Sequence, residues 1–271
     1  GKDGMSTVSG ATVFAEKALL ADGWAENVAV SIGPDGRIAS VERDAQPIGE
    51  RVGILLPAPV NLHSHAFQRA MAGMSERRGS ESRDSFWTWR QIMFRFLDAL
   101  TPEDVEAIAA FVQMEMLEAG YAAVGEFHYL HHQPGGAPYA NLAEMSDRIM
   151  AAASDTGIGL THLPVHYQFG GCDGRPLAAG QIRFGNDFDR FQKLHELASE
   201  ALKSLPDDAV IGVAPHSLRA VDADSLKKAV ALAGGNPLHM HLAEQIPEVD
   251  EVLAATGQRP VEWLLANHAV S

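Results

Sequence analysis

One cysteine stands among 271 residues. Cys172 has no partner within the chain, which excludes an internal disulfide framework and points to a reducing cytoplasm. Within Gly170-Gly171-Cys172-Asp173-Gly174 it reads as an incidental loop thiol. Basic residues are also scarce, with 21 Lys and Arg against 35 Asp and Glu for a formal net charge of −14. That balance argues against nucleic acid or an anionic membrane as partner. A few local arginines can still hold a small anionic substrate. No run approaches the roughly 18 apolar residues of a membrane span, and the N-terminus lacks the basic-then-apolar pattern of a signal peptide. No G-x-G-x-x-G follows a strand, which weakens a dinucleotide-binding reading. There is no internal repeat and no low-complexity segment. What is present, 46% hydrophobic residues, suffices for a sizeable core in one large domain, with or without a small appendage.

Gly1-Lys2-Asp3-Gly4 ahead of Met5 reads as an appended leader. The first 55 or so residues then read as short strands at 12–20, 27–32 and 37–41, rich in β-branched and apolar residues. Pro34-Asp35-Gly36, between the last two, is a hairpin turn, because glycine tolerates positive φ. Three such strands cannot bury both faces alone, so residues 1–56 are expected to form a small β-subdomain packed on something larger. From residue 54 the rhythm changes. Apolar runs at 54–60, 122–127, 158–165, 210–214 and 238–242 read as strands, with helices at 86–97, 142–154, 188–205, 224–233 and 260–267. A further helix opens at Thr101-Pro102-Glu103-Asp104, with Thr as N-cap, Pro at the first helical position and acids over the first turn. Alternation of this kind implies an α/β protein with a parallel sheet covered by helices over 57–271. Five strands alone do not separate an open doubly wound sheet from an eight-stranded barrel.

The strongest chemical signal is Asn61-Leu62-His63-Ser64-His65 after the first strand of the alternating region. Residues two apart on an extended chain face the same side, so His63 and His65 can present two imidazoles to one ion. The carboxyl ends of strands are where α/β barrels build their sites, and imidazole suits Zn²⁺. Alone, such a pair is also a common surface accident. Leu238-His239-Met240-His241-Leu242-Ala243-Glu244 strengthens the reading by offering a third ligand and a carboxylate that can move a proton. His239 and His241 share a strand face, so periodicity alone leaves both open, and the spacing to Glu244 favours His241. Pro215-His216-Ser217-Leu218-Arg219 adds a histidine and an arginine that can fork onto a carboxylate, or else form a loop salt bridge. Arg90, in Phe86-Trp87-Thr88-Trp89-Arg90, is a second candidate clamp with a solvated helix residue as the alternative. Glu126-Phe127-His128-Tyr129-Leu130-His131-His132 carries three histidines without ligand spacing, and reads as a polar pocket wall.

The runs LLPAPVNLHSHAFQRAMAG (55–73), EFHYLHH, PHSLRAV and HMHLAEQ occur in this order, and together they resemble the formimidoylglutamate deiminases of the amidohydrolase superfamily. The resemblance covers the chain from Ala15 onward. It implies a (β/α)₈ amidohydrolase barrel with a small N-terminal β-sandwich subdomain, and one zinc ion, Fe²⁺ being the alternative metal. It assigns His63, His65 and His241 as metal ligands and Glu244 as proton shuttle. Gln68, Arg90, Tyr129, His216 and Arg219 would line the substrate pocket. The implied reaction is hydrolytic deimination of N-formimino-L-glutamate to N-formyl-L-glutamate and ammonia, in histidine degradation. The implied partner is a small anionic substrate, with a homodimer left open. A rival enzyme class, acting on a purine, pyrimidine or triazine ring, shares every metal residue; a non-catalytic barrel fragment is the rival of another class. The superfamily pattern also needs a histidine after a sixth strand and an aspartate after an eighth. Neither is found by Ser271, so the chain is expected to be a barrel truncated after about five strands.

Overall fold

The computed structural model describes residues 10–72 and 84–270, with side chains described from residue 91 in the second stretch. The chain divides into two compact units, Gly1–Pro59 and Val60–Ser271, a boundary three residues beyond the expected 56/57.

In the first unit, strands β1 (Thr12–Leu20), β2 (Gly23–Ile32), β3 (Ile38–Glu42) and β4 (Glu50–Leu55) form one mixed sheet in the order β3-β2-β1-β4. The described residues of this unit form this one sheet, where the resemblance implies a sandwich. Strand β1 pairs antiparallel with β2 from Thr12↔Ser31 to Leu20↔Gly23, and parallel with β4. Ala15, Ala18, Val28 and Val30 form its buried face. The turn between β2 and β3 closes through Gly36 N–H donating to the Gly33 carbonyl at 3.0 Å, and Gly36 takes φ +78°.

The expected strand at 54–60 is two strands. Its first part ends β4 at Leu55, and its last residue opens β5 (Val60–Ser64) in the second unit. Pro57 and Pro59 lie between, and proline lacks the N–H that a sheet ladder needs.

The second unit is a parallel α/β structure. Strands β5, β6 (Ala123–His128), β7 (Gly159–His166) and β8 (Val210–Ile211) pair in that order, and β9 (Ala214–Pro215) also pairs with β7. Helices α1 (Asp84–Ala99), α2 (Pro102–Glu118), α3 (Glu144–Thr156), α4 (Phe188–Leu202), α5 (Ala223–Ala233), α6 (Ile246–Thr256) and α7 (Pro260–Asn267) alternate with them, and short 3-10 turns occupy 66–71 and 179–184. The start of α2 is a full capping box: Thr101 Oγ1 accepts from Asp104 N–H at 3.1 Å, and Asp104 Oδ2 accepts from Thr101 N–H at 3.0 Å.

The fifth expected strand, 238–242, is not a regular strand. Its chain runs parallel to the fourth through the Val213↔Leu238 bridge, with His239 N–H donating to the Val213 carbonyl and His241 N–H to the His216 carbonyl. One isolated bridge and two further hydrogen bonds do not make the run of consecutive bridges that defines a strand. Helix α6 is an addition that apolar periodicity does not include. Its start combines Pro247 with acids, features that mark helix N-termini as well as loops.

On the helix side of the sheet, buried Val124 and Leu160 from the strands cluster with Val105, Ala109, Ile149 and Ala198 of helices α2, α3 and α4. Side-chain parity along β6 and β7 gives the sheet two faces. His162 meets Ser146 of α3 and His166 meets Phe191 of α4, on the helix side. Phe127 points the other way, and the site is built over it.

Candidate metal centre

Strand β5 ends at Ser64, so His63 is its last-but-one residue and His65 opens the 3-10 turn that follows. The bend between them has two fixings. Asn61 Oδ1 accepts from His63 N–H at 3.1 Å, and the buried Glu126 carboxyl accepts from Ala66 N–H at 2.7 Å. Burial pushes the Glu126 carboxyl up to about 7, against the pull of its bonds to Ala66 and Ser64.

His63, His65 and His241 converge, with one ring nitrogen from each lying within 4.8 Å of the others. Nε2 of His63 stands 3.0 Å from Nε2 of His65 and 3.1 Å from Nε2 of His241. Two nitrogens bonded to one tetrahedral zinc at 2.0–2.1 Å would lie about 3.3 Å apart. His65 Nδ1 lies 3.0 Å from the Phe127 carbonyl, which can only accept; the Nδ1–H tautomer follows, and Nε2 keeps its lone pair toward the cluster. Burial lowers His65 to about 3 and His241 to about 4, and it also lowers the more exposed His63. All three rings are therefore neutral near pH 7, the form that binds a cation. Three imidazoles that turn Nε2 toward one point fit a single borderline metal ion. Among the described residues this is the one set of three or more His, Cys, Asp or Glu side chains placed to share an ion. His239, which periodicity alone leaves open, is not in it.

Phe127 forms the floor. Its ring stacks on His241 at 4.3 Å between centroids, and lies 5.2 Å from His63, 5.3 Å from His65 and 6.0 Å from His216. It stands in a motif read for its histidines, and an aromatic between polar residues carries no sequence signal separating a site floor from ordinary core.

Around this cluster the structure gathers most of the proposed pocket residues. Gln68 donates to Tyr129 Oη at 2.6 Å, and the Tyr129 ring lies 5.1 Å from His65. His216 stands 4.9 Å from His241 and 4.3 Å from Tyr167, ring to ring. Burial, then the neighbouring His241 and His65, hold His216 well below its ordinary value. Arg219 Nε is buried without a hydrogen-bond partner in the described structure. Arg90 lies on α1, but its side chain is outside the described residues. Glu244 is exposed, with Oε2 3.9 Å from His241 Nδ1, beyond hydrogen-bond reach. A cavity of about 960 Å³ opens beside it, lined among others by His63, His239, His241 and Glu244.

The histidines of the fourth motif are separate from the cluster. His131 Nε2 bonds the Val165 carbonyl at 2.8 Å, and His132 Nε2 bonds Asn186 Oδ1 at 2.8 Å. The His128 ring lies 5.3 Å from the rings of His131 and His162, centroid to centroid. They are packed side chains of the wall, as the missing ligand spacing suggests.

Fold and cluster together define a class: α/β proteins that can hold one cation over the carboxyl ends of parallel strands. The chain belongs to the amidohydrolase family, whose model matches residues 54–270. A second model, the N-terminal domain of formimidoylglutamate deiminase HutF, matches residues 11–51. The chain is 48% identical to the formimidoylglutamate deiminase of Pseudomonas aeruginosa over 263 residues, covering 95% of this chain and 57% of that protein. It superposes on an amidohydrolase from Brucella melitensis with a TM-score of 0.91 at 50% identity, over 96% of this chain and 58% of that one. A zinc complex of an atrazine chlorohydrolase from Arthrobacter aurescens gives a TM-score of 0.72 at 18% identity, over 94% and 58%, a likeness of fold alone. The chain thus spans a little over half the length of these relatives. No helix among the described residues is long and apolar enough to cross a membrane.

Proposed function

We propose that the protein hydrolyses N-formimino-L-glutamate to N-formyl-L-glutamate and ammonia, as a cytoplasmic enzyme that uses one Zn²⁺ held by His63, His65 and His241. The observation that carries this reading is the convergence of those three neutral imidazoles within 4.8 Å. The 48% identity to a formimidoylglutamate deiminase supports the choice of substrate. When bound, the ion lowers the pKa of a coordinated water toward neutrality.

The protein's own groups supply the remainder. Glu244 accepts a proton from the attacking water and delivers it to the nitrogen that leaves as ammonia. Water adds its oxygen to the formimino carbon, the carbon–nitrogen bond breaks, and atoms balance. The Gln68–Tyr129 pair and His216 border the reacting carbon. Arg219, whose buried Nε lacks a partner among the described residues, holds a glutamate carboxylate, and Arg90 holds the other.

Glu244→Gln in the whole protein tests the assignment. Bound zinc is expected to stay at one per chain while ammonia release falls by about 10² to 10⁴-fold. Retained turnover refutes the role of Glu244. Ammonia from guanine or cytosine, with none from formiminoglutamate, refutes the substrate.

A further inference from the structure

Glu244 has little to hold its side chain. It is exposed and makes no hydrogen bond to His241, so its position follows from its backbone. That backbone is unusual: Ala243, just before it, takes φ +54°, the left-handed region that costs a residue bearing a Cβ about 1 kcal/mol or more. Such a conformation persists only where neighbours enforce it.

The neighbour is Glu248. Its side chain is 1% exposed, and its two carboxylate oxygens accept from the two peptide groups at this turn, Oε2 from Glu244 N–H at 2.8 Å and Oε1 from Ala243 N–H at 3.2 Å. Glu248 is the third residue of α6, where a capping-box glutamate would reach the N–H of the N-cap, here Gln245. This one reaches the two amides before it instead. Its place in the first turn of α6 is one that the helix dipole favours for an acidic side chain.

We propose that Glu248 is a positioning residue. It clamps the left-handed turn and so aims the Glu244 carboxylate at the reacting water. The clamp is charged and bidentate, and its removal leaves two backbone donors to be satisfied elsewhere. The role of Glu244 it serves rests on the deimination reading above.

The test uses the whole, zinc-loaded protein. Glu248→Gln keeps one acceptor oxygen but turns an NH₂ group toward a backbone N–H. The expected result is a kcat about 10- to 100-fold lower, KM within about two-fold, zinc still one per chain, and faster hydrogen exchange at the Ala243 and Glu244 amides. An Ala243→Gly background removes the left-handed strain, so Glu248→Gln should cost less kcat there. An unchanged kcat, a loss explained by zinc release, or an equal loss in both backgrounds overturns the proposal. Wild-type turnover is measured first. If zinc-bound wild type leaves formiminoglutamate untouched, the deimination reading falls by itself. Amide exchange then decides for Glu248, and unchanged protection in Glu248→Gln overturns it.

Discussion

Phe127 is 1% exposed and touches four imidazoles, while its backbone carbonyl accepts from His65 Nδ1. Its ring excludes water beneath the cluster and contributes to the burial that keeps His65 and His241 neutral. Phe127→Ala should therefore act twice. We expect a loss of about 3–5 kcal/mol in stability, from the apolar area and the cavity, read as a lower Tm. Zinc affinity should fall as well, because the rings lose the surface that orients them. Calorimetry with a zinc titration checks both, and full zinc affinity in a folded Phe127→Ala protein contradicts the second expectation. At this scale the ligand types were readable in the H-x-H pair and in the H-x-x-E run. The choice of His241 over His239 rested on the spacing to Glu244 and on the resemblance, since both lie on one strand face; in the structure His241 Nε2 lies 3.1 Å from His63 Nε2.

Elements set where the ligands stand. Strand β5 carries His63 and pairs with β6 at Val60↔Ala123 and Asn61↔Val124, with a register shift before Ser64. A Cβ on Gly125 of β6 would lie 2.9 Å from the Leu62 carbonyl oxygen, a backbone atom that moves only with its strand. Gly125→Ala should push β5 aside, cost about 1–3 kcal/mol, and weaken zinc binding by displacing His63. A zinc titration of the purified variant tests this, and unchanged affinity would show that β5 has slack. Strand–helix alternation and the Thr101 cap were legible because they depend on local chemistry. The split of 54–60 into two strands was harder to see, since an apolar run looks the same whether one sheet or two receives it. The irregular 238–242 segment was read as a strand because its composition suits one. Its single isolated bridge depends on how the neighbouring chain lies alongside, which composition does not encode.

For the molecule as a whole, acid is the telling variable. His162 is fully buried between β7 and α3 and is lowered to about 3, with burial the main cause. His128 and His131 are held well below their ordinary value of 6.5 for the same reason. Below pH 6.5 the unfolded chain binds protons that these folded rings refuse, so stability is present above that value and falls on acidification. The slope is about 1.4 kcal/mol per pH unit for each ring. Glu126 opposes this. Its folded value near 7 exceeds its ordinary 4.5, so its contribution is lost as pH rises through that window and regained on acidification. Three histidines outweigh one glutamate, and Tm should drop between pH 7 and 5. Glu126→Gln should make the drop steeper. A Tm that is flat or rises toward acid contradicts the account.

The amino-acid sequence by itself determined the α/β class, the absence of an internal disulfide, the acidic surface and the residue types that can bind a metal. Each depends on composition or on spacing along one segment. Only the tertiary structure decided that rings from two stretches 178 residues apart meet at 3.1 Å. It also showed that Phe127 underlies them and that Glu248 reaches back to the peptide before Glu244. Those are relations between elements, and they follow from how strands and helices pack around a shared core.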